Sequence, residues 1–515
     1  MEKLKRRIFF WTLVALFFIV APSIIMNARG YRFDFSRGVF VHSGSIMLKT
    51  NPQDFNSYVN GKLETSKKIN RINSSYTLTG FIPGSYEISL GADGFQTWTK
   101  KTDVHSGLAS EFWNILLVRK DYARTTLETQ GLDNFFISPT DKNIALVKNT
   151  DAGVEMKILN IAGKTIDNSF SFPGSVFDDK TREENIEWSP NEDYLSVPVK
   201  LSVPAPTIKE NPLSKIKTAA LPADNQTIEK YHYFIANPSN DSSFNLNSFL
   251  EKEDIQNVRW DPRDKNYLFF LSENRLYRAN ITNKNDLKLI ADNVSAFDLS
   301  KNSVYYTQTP NELVFKTSLD GTASTAQLTN NFPDTPVSPT KKLVIYDDDR
   351  IAFLNSNHEF FIYNKGEHDT YFRKLGDNIQ SFQFSDDGKK LLFASDNEIF
   401  TYFLRDWSVQ PERAENEIQS VTRYSENLKN IQWFKDYEHI IFSAGSYVKI
   451  IELDSRDHRN CMDILKTGGG EPKLTYNHSS ERLFFIDQNG DASDLYNIIF
   501  PEPGAFLGIF PPAQQ

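Results

Sequence analysis

The sequence predicts an all-β protein that one N-terminal helix holds in a membrane. Three observations lead to this prediction: an apolar stretch near the N-terminus, a short segment of alternating apolar residues, and a unit that recurs through the remaining chain. Of the 515 residues, 39% are hydrophobic and 13% aromatic, which is enough apolar material for two or more cores. The predicted order is a transmembrane helix, a small β-sandwich and a β-propeller, which is a ring of radially repeated sheets.

Composition excludes several functional classes. The formal net charge of −9 argues against a general nucleic-acid binder, because such proteins cluster Lys and Arg against phosphates. The single cysteine, Cys461, excludes a disulfide framework within the chain and any zinc or iron–sulfur site that needs several thiolates. It also excludes an N-terminal lipid-modified cysteine. We expect Cys461 to be a buried packing residue.

The first element is a transmembrane anchor at residues 8–26. This stretch is apolar on every side except at Thr12, Pro22 and Ser23. Its length at about 1.5 Å per residue matches the ~30 Å hydrocarbon layer of a bilayer. Four cations precede it: Lys3, Lys5, Arg6 and Arg7. These cations favour a cytoplasmic tip at residues 1–7, a single-pass anchor in the cell membrane, and an extracytoplasmic location for the bulk of the chain.

A cleaved signal peptide is the alternative to an anchor. Cleavage needs small residues at positions −3 and −1 of the cut. Ala28 could occupy position −1, but Met26 would then occupy position −3. A cut after Ala21 would leave Pro22 beside the bond, which peptidases disfavour. The sequence therefore favours an uncleaved anchor.

Residues 44–119 alternate between apolar and polar positions, as half-buried strands do. Ile46 and Leu48 mark one strand, and Ile88 and Leu90 mark another. Asn60-Gly61 predicts a type I′ turn, because both central positions of that turn need positive φ. A second turn is predicted at Ile82-Pro83-Gly84, immediately before the strand that begins at Ser85 and Tyr86.

This segment resembles the PEGA domain. The matching parts are Gly44-Ser45-Ile46, Val59-Asn60-Gly61-Lys62, Ile82-Pro83-Gly84-Ser85-Tyr86-Glu87-Ile88 and Asp93-Gly94-Phe95-Gln96-Thr97-Trp98. The short signature that names the family reads Asn51-Pro52-Gln53-Asp54-Phe55 here and keeps only the proline. The resemblance implies a small, all-β, non-enzymatic module of prokaryotic envelope and surface proteins. We expect Phe95 and Trp98 to pack in its core rather than to contact a ligand.

The rest of the chain repeats eight times at intervals of 37 to 72 residues. The copies start at Ser138, Ser189, Asp261, Asp298, Ser338, Ser385, Phe434 and Asn477. An apolar residue precedes each start: Ile137, Trp188, Trp260, Phe297, Val337, Phe384, Trp433 and Tyr476. Another lies six residues into each copy: Ile144, Leu195, Tyr267, Val304, Val344, Leu391, Ile440 and Leu483. A further apolar residue two positions later shares its strand face, so each copy begins with a hairpin.

A third strand follows each hairpin, and the spacing is typical of four-stranded propeller blades. WD-repeat signatures are absent, but the Ser-Pro and Ser-Asp-Asp-Gly turns resemble those of TolB-type propellers. We predict eight blades within residues 123–500, or seven if the copy at Asp298 merges with a neighbour. Residues 501–515 are predicted to be a C-terminal tail.

Ring closure is predicted from the two ends of the repeat region. The last copy lacks an obvious fourth strand, because residues after Phe500 are rich in proline. The segment from Ala123 to Thr129 lies upstream of the first copy and has a strand-like pattern. We therefore predict that this segment forms the outer strand of the last blade and clasps the ring.

Two insertions interrupt the repeats. The first contains Pro198, Pro204, Pro206, Pro212 and Pro222, together with Lys209, Lys215 and Lys217. Since proline removes a hydrogen-bond donor, we predict an excursion from the second blade rather than a strand. The second insertion runs from Gln410 to Asn430. Both are either solvated loops or part of a partner-binding surface on one rim.

No catalytic motif is present, and the chain is predicted to be neither an enzyme nor a cofactor-binding or metal-binding protein. Gly-x-Ser-x-Gly does not occur, and only fifteen residues follow Phe500, so we expect no attached hydrolase domain. The histidines lack metal-ligand spacing. The remaining candidates have ordinary structural explanations: the acidic hairpin turns Asp347-Asp348-Asp349 and Asp487-Gln488-Asn489-Gly490-Asp491, the connector Gly468-Gly469-Gly470, and the weak dyad of Asp454 or Asp457 with His458.

The leading functional hypothesis is a membrane-anchored scaffold of the cell envelope. Its propeller would bind an envelope protein or a surface glycan, with the small module as a spacer. The rival is a polysaccharide lyase or glycosidase whose carboxylates lie in the channel mouth. Paired carboxylates of raised pKa would favour the enzyme, and a flat apolar or aromatic rim would favour docking. A third hypothesis is an assembly role in which the module contacts the cell wall.

Overall fold

The computed structural model describes residues 3–65, 67–70, 72–128, 131–178, 186–204, 227–330, 338–489 and 492–501. Its first element is the apolar helix that the sequence predicts, α1 (Lys3–Ala28). The helix has a mean hydropathy of 2.5 over its most apolar stretch and packs none of it against the rest of the chain. The hydroxyls of Thr12 and Ser23 donate to carbonyls four residues back, at 2.9 Å each, so these polar side chains are satisfied within the helix.

A two-stranded hairpin that no sequence pattern predicted follows the helix. It consists of β1 (Tyr31–Asp34) and β2 (Val39–His42), paired antiparallel. The carbonyl of Gly30 accepts the Ser43 N–H at 2.8 Å and the Ser43 hydroxyl at 2.6 Å. These bonds close the base of the hairpin beside the end of the helix.

The next eight strands form two four-stranded sheets, which together make the predicted β-sandwich module. The first sheet contains β3 (Gly44–Asn51), β6 (Lys67–Asn70), β7 (Ser75–Phe81) and β10 (Ala109–Leu116), in the order β10-β3-β7-β6. The second contains β4 (Asn56–Val59), β5 (Lys62–Leu63), β8 (Gly84–Gly91) and β9 (Trp98–Val104), in the order β5-β4-β8-β9. The edge strand β10 pairs with β3 in the parallel sense.

The predictions of the Asn60-Gly61 turn and of the core residues of this module are confirmed. Asn60 and Gly61 have φ values of 49° and 75° and connect β4 to β5, as a type I′ turn requires. Ile46 and Ile88 are fully buried between the two sheets. Phe95 and Trp98 are 8% and 1% exposed and belong to the same core, as expected for packing residues.

The repeat region forms eight sheets among the described residues, so the predicted count of eight blades is confirmed. Blade 1 consists of β12 (Asn134–Ile137), β13 (Asn143–Thr150), β14 (Gly153–Asn160) and β15 (Thr165–Pro173). Blade 2 consists of β16 (Ser175–Val176), β17 (Glu187–Trp188), β18 (Leu195–Pro204), β19 (Thr227–Asn237) and β20 (Ser242–Asn245). Blade 3 consists of β21 (Gln256–Trp260), β22 (Tyr267–Ser272), β23 (Arg275–Asn280) and β24 (Leu287–Ala291), and blade 4 of β25 (Val294–Leu299), β26 (Ser303–Gln308), β27 (Leu313–Ser318) and β28 (Ala326–Gln327).

Blades 5 to 8 continue the same pattern. They consist of β29 (Thr340–Asp347), β30 (Arg350–Asn355), β31 (Phe360–Lys365) and β32 (Thr370–Gly376); β33 (Ser381–Phe384), β34 (Lys390–Ala394), β35 (Glu398–Phe403) and β36 (Ile418–Arg423); β37 (Leu428–Trp433), β38 (His439–Ala444), β39 (Tyr447–Glu452) and β40 (Cys461–Lys466); and β41 (Lys473–Asn477), β42 (Arg482–Asn489), β43 (Ala492–Ile499) and β11 (Thr125–Glu128). A short helix, α2 (Leu246–Leu250), follows blade 2, and Asn245 caps it by accepting the Ser248 N–H.

The ring closes as predicted. Strand β11 pairs antiparallel with β43 and is the outer strand of blade 8. Leu127 and Leu132 pack with Phe484 and Leu495 in a core that blades 1 and 8 share. Within the described residues, every other neighbouring pair of blades also shares a core. Each sheet thus has both faces covered by its neighbours.

Indole groups connect neighbouring blades at the apolar position that precedes each turn. Trp188 donates from Nε1 to the carbonyl of Phe136 at 3.2 Å, and Trp260 donates to the carbonyl of Glu187 at 3.1 Å. Trp433 does the same to Gln383, also at 3.1 Å. Each acceptor lies in the first strand of the preceding blade. These tryptophans therefore fill the core between two blades and also fix their spacing by a hydrogen bond.

The prediction for the fifth copy was wrong in register. Val344 lies in β29, the first strand of blade 5, rather than in the second. The turn between the first two strands is Asp348-Asp349, about ten residues after the expected start at Ser338. The Ser-Pro dipeptide imitated the repeat signal, whereas the acidic run forms the hairpin turn. Val337 lies outside the described residues.

The predictions for the two insertions were wrong in part. Pro198 lies inside β18, opposite Tyr233 of β19. Pro204 is the last residue of the same strand, and the remaining prolines and lysines of that insertion lie outside the described residues. The second insertion contains β36, which is the outer strand of blade 6.

We predict that Leu127→Ala destabilises the ring more than Thr125→Ala, a substitution in the same strand. Leu127 is 8% exposed in the core that closes the ring, so truncation should lower the free energy of unfolding by about 2–5 kcal/mol. Thr125→Ala, at an exposed position of the same strand, is the matched control and should leave stability nearly unchanged. Thermal unfolding of the two variants tests this, and equal melting temperatures would contradict the clasp.

Candidate functional site

The central channel is the first candidate site, because the first strands of the blades surround it. A cavity of about 690 Å³ lies between blades 1, 2, 7 and 8, and its polar lining includes Asn134, Asn430 and Asn477. A cavity of about 310 Å³ lies between blades 2, 3, 4 and 5. Both cavities touch Glu187, so they adjoin. The channel surface combines amides, cations and carboxylates.

One ion cluster joins three blades in this channel. The guanidinium of Arg259 in blade 3 lies 3.2 Å from Glu187 Oε1 in blade 2 and 3.2 Å from Asp298 Oδ1 in blade 4. Glu187 and Arg259 each precede a buried tryptophan, and Asp298 follows the buried Phe297. Strand alternation therefore directs these charged side chains away from the cores. Reasoning from the sequence missed this cluster, although its proximity to the repeated aromatic position was a usable signal.

The electrostatics of the cluster only partly satisfy the criterion for an enzyme. Burial raises the pKa of Glu187 and of Asp298, and the charge of Arg259 opposes both shifts. However, Asp298 Oδ1 also accepts the Leu299 N–H at 2.8 Å, and Oδ2 accepts the Ile345 N–H at 2.9 Å. A carboxylate held on three sides has a structural role and is poorly placed to exchange protons with a substrate.

The described residues of the ring form no continuous apolar rim, so the criterion for docking is not met. Among the described ring residues, the exposed large hydrophobic side chains are dispersed over six blades: Ile166, Val176, Leu289, Ile418, Tyr447 and Ile499. A partner of the ring would therefore meet a mainly polar surface.

The junction between the module and the ring is the second candidate site. One hydrophobic core contains Trp98 and Phe112 of the module together with Phe434 of blade 7 and Phe485 of blade 8. The connecting segment contributes Leu117 and other buried residues to the same core. The module is thus packed against the ring through a shared core.

A buried lysine is the centre of this junction. The side chain of Lys100 is fully buried, and its Nζ lies 2.8 Å from Glu452 Oε1. It also donates to the carbonyls of Asp454 at 2.7 Å, of Arg456 at 2.9 Å, and of His458. Trp98 donates from Nε1 to Glu452 Oε2 at 2.9 Å. The module therefore supplies a cation and an indole donor that together occupy both oxygens of one ring carboxylate.

The loop between β39 and β40 holds the residues that the sequence offered as a dyad. Asp454 is paired with Arg456 at 2.6 Å, and burial is outweighed by this pairing, so the pKa of Asp454 is lowered. Asp457 accepts from the imidazole of His458 at 2.8 Å and from the Lys101 N–H at 3.0 Å. These groups bind the module, which explains their arrangement without catalysis.

The second insertion also contacts the module. Gln410 accepts the Glu111 N–H at 3.0 Å and donates to the Ala109 carbonyl at 3.2 Å. Arg456 donates to the Glu111 carbonyl at 2.7 Å and stacks on Phe112 at 4.0 Å. The partner of this rim, at least in part, is the chain's own module.

The prediction that Cys461 is buried was wrong. Cys461 is exposed at the start of β40, the outer strand of blade 7. Its Sγ lies 3.6 Å from the Tyr424 hydroxyl, and partial removal of this sulfur from water raises the pKa of the thiol. An outer strand turns alternate residues to solvent, and position 461 is one of them.

Three exposed groups near blade 6 could hold a metal ion: Glu367, His368 and Asp406. His368 Nε2 lies 2.7 Å from Asp406 Oδ2, and this bond raises the pKa of the imidazole. The arrangement is that of a solvent-exposed ion pair, which is common without a metal.

No family model matches this sequence, and no curated protein does. Among solved structures, the fold is similar to the C-terminal WD40 domain of Sif2, with 11% identity and a TM-score of 0.46 over 74% of this chain and 99% of that chain. It is also similar to Sqt1 of Saccharomyces cerevisiae, with 10% identity and a TM-score of 0.43 over 73% and 98%. A third similar structure is Hsv2 of Kluyveromyces lactis, with 10% identity and a TM-score of 0.38 over 65% of this chain and 98% of that chain. At these levels nothing about the function of this chain follows from the similarity.

We predict that Lys100→Met strongly destabilises the junction. The substitution leaves Glu452 buried without its cation, and losing one partner of a buried pair costs about 3–5 kcal/mol. Lys101→Met, on the exposed neighbour, is the control and should change stability by less than about 0.5 kcal/mol. The measurement is thermal unfolding of the detergent-solubilised full chain, with limited proteolysis of the segment near residue 120. A Lys100→Met variant as stable as the control would show that this ion pair does not hold the junction together.

A pH dependence is predicted from His439, which is buried in β38 beside Asp436. Burial lowers the pKa of His439, but Asp436, 2.8 Å from Nδ1, outweighs burial, and the net pKa is raised above 6.5. The folded chain then holds this proton more tightly than the unfolded chain. Its stabilising contribution is complete below pH 6.5 and is lost as the pH rises through the raised pKa.

The test compares melting temperatures across that pH interval. We expect the decrease with rising pH to be smaller in His439→Gln than in the parent chain. Asp436→Asn, which removes the carboxylate beside this imidazole, should reduce the decrease in the same way. An unchanged profile in His439→Gln would show that this imidazole does not titrate as described.

Proposed function

We propose that this chain is a membrane-anchored extracytoplasmic scaffold whose propeller binds an envelope protein or a surface glycan. The length and apolar surface of α1 support a single-pass anchor. The four cations at its start support a cytoplasmic N-terminus, with the module and ring on the other side. The strand pattern and the type I′ turn of the module are consistent with the PEGA resemblance. We propose that the module is related to PEGA domains and that the ring is related to TolB-type propellers.

The observation that carries this proposal is the fixed junction between module and ring. Lys100, Trp98 and Glu452 form a buried, directional contact that does not leave the ring free to swivel. A ring held this way keeps one orientation relative to the module. Such an arrangement suits a scaffold that presents one surface to a partner. It also excludes removal of residues 44–119 as a clean test, because deletion would uncover the core shared with blades 7 and 8.

The partner-binding region that we propose is the polar channel. The amide nitrogen of Asn430 already donates to Ser443 Oγ and to the Pro472 carbonyl, both at 2.8 Å, so it is the Asn430 oxygen that can accept from a sugar hydroxyl or an extended peptide. Arg259 is 45% exposed, toward the adjoining cavity, and can contact an acidic group while it remains bound to Glu187.

The native thiol of Cys461 provides a test of location. Because Cys461 is exposed on the ring, a membrane-impermeant maleimide should label it in intact cells from which outer barriers have been removed. The raised pKa of this thiol makes a buffer above pH 8 preferable, since the thiolate is the reactive form.

The control is a chain with Cys461→Ser and Lys3→Cys, whose thiol lies at the other end of the anchor. We expect labelling of this control only after the cells are opened. Labelling of position 3 but not of Cys461 in intact cells would reverse the proposed topology, and equal protection of both would place the ring in the cytoplasm.

The rival function, a polysaccharide lyase or glycosidase acting in the channel, is favoured by one observation. Glu187 and Asp298 both have a raised pKa, as a general acid requires. If this function is correct, Glu187→Gln should abolish cleavage of an envelope polysaccharide, and circular dichroism should show that the variant is still folded. A parent chain that binds the polysaccharide without cleaving it would favour the scaffold.

A further inference from the structure

The β1–β2 hairpin carries an aromatic face that no other described residue covers. Phe33 and Phe40 are cross-strand partners with ring centroids 5.1 Å apart, and they are 37% and 39% exposed. Phe35 lies beyond them at the turn, 5.0 Å from Phe33 and 89% exposed. Tyr31 and His42, also partners in the register, extend the same face toward the helix with ring centroids 5.1 Å apart.

The opposite face of the hairpin is used within the chain. Arg32 donates to Asn27 Oδ1 at 2.6 Å and lies against Gly80 of the module, where a Cβ would approach its Nη2 to 3.1 Å. Asp34 is buried and accepts from the backbone and hydroxyl of Ser36 at 2.9 and 2.6 Å. On this face Arg32 contacts the helix end and the module while Val39 stays 49% exposed, and the other face is partly exposed and aromatic.

The hairpin is also close to the plane where a bilayer would end. Strand β1 begins three residues after the last residue of α1, and the bonds from Ser43 to Gly30 hold the base of the hairpin at that end. The polar layer of a bilayer is about 5–8 Å thick on each side of the hydrocarbon. Trp and Tyr are enriched in this layer, and interfacial anchors also bury Phe at the boundary between headgroups and acyl chains.

We propose that the β1–β2 hairpin binds the lipid surface, with Phe33, Phe35 and Phe40 inserted into the outer interfacial layer beside the anchor. This inference rests on the proposed membrane anchoring by α1. The hairpin then acts as a second attachment point, which stops the module and ring from tilting freely about the helix. Arg29 is exposed beyond the end of the helix, and Arg37 is 65% exposed and lies 3.6 Å from Asp34, so both cations are near the hairpin and can contact lipid phosphates.

A lipid surface fits this face better than a protein partner does. The strands contribute eight residues in total, whereas a stable protein interface uses about 20–30 residues on each side. A small apolar face that continues directly from an apolar helix matches the geometry of an interfacial anchor. A second copy of the chain, seated face to face, is the occupant that the experiment must distinguish.

The experiment places single spin labels on the full chain in vesicles of phosphatidylcholine and phosphatidylglycerol. In a Cys461→Ser background, Phe35→Cys labels the hairpin, Phe17→Cys labels the anchor, and Leu289→Cys labels an exposed position on blade 3. Power saturation then compares collisions with oxygen, which concentrates in lipid, and with a water-soluble nickel chelate. A label at Phe40→Cys, on the same aromatic face, replaces position 35 if that variant does not fold.

We expect nickel accessibility at position 35 to be several-fold lower than at position 289, with oxygen accessibility raised toward the value at position 17. Nickel accessibility at 35 equal to that at 289, with position 17 still in lipid, would overturn the hairpin proposal and leave anchoring intact. Water exposure at both 35 and 17 would instead remove the proposed anchoring. Shielding of position 35 from both reagents, with dipolar broadening that disappears on dilution with unlabelled protein, would assign the face to a second copy and also overturn the proposal.

Discussion

Each sheet of the ring has two apolar faces, and both must be covered by neighbouring sheets. A row of sheets would leave its two ends uncovered, so the burial of apolar surface itself requires closure. Closure is achieved by Leu127 and Leu132, which carry the start of the region into a core shared with blade 8. The tryptophans at the blade boundaries add hydrogen bonds to this packing. The channel and every surface of the ring depend on that closed arrangement.

The junction follows from the same need to cover apolar surface at one point of the ring. Blades 7 and 8 share their core with the module, so the module completes the ring's packing as well as its own. Lys100 is then enclosed, and its charge is compensated by Glu452 and three carbonyls. Apolar contacts alone would tolerate small rotations, whereas a buried ion pair with directed hydrogen bonds holds one geometry. The ring, the module, the hairpin and the helix are consequently connected in one series of contacts.

The differences between the predicted and observed elements have local causes. The fifth copy was placed about ten residues too early, because Ser338-Pro339 has the composition of the repeated turn while Asp348-Asp349 forms it. Pro198 was expected to lie outside a strand because proline has no backbone N–H to donate, yet it lies inside β18. The β1–β2 hairpin was missed because its strands have four residues each, and so short a segment shows too little alternation of apolar and polar residues to be distinguished from a linker.

The sequence by itself determined the apolar helix, the sandwich module, the eight blades and the clasp. The helix, the module and the blades depend on apolar residues spaced within one repeat of at most 72 residues, and the clasp follows from the missing fourth strand of the last copy. The tertiary structure alone decided the contacts of Trp98 and Lys100 with Glu452 and the ion cluster of Glu187, Arg259 and Asp298. Trp98 and Glu452 are 354 residues apart, and the three channel residues come from three blades. Such groups meet only after the ring has closed, so no local pattern in the sequence records their proximity.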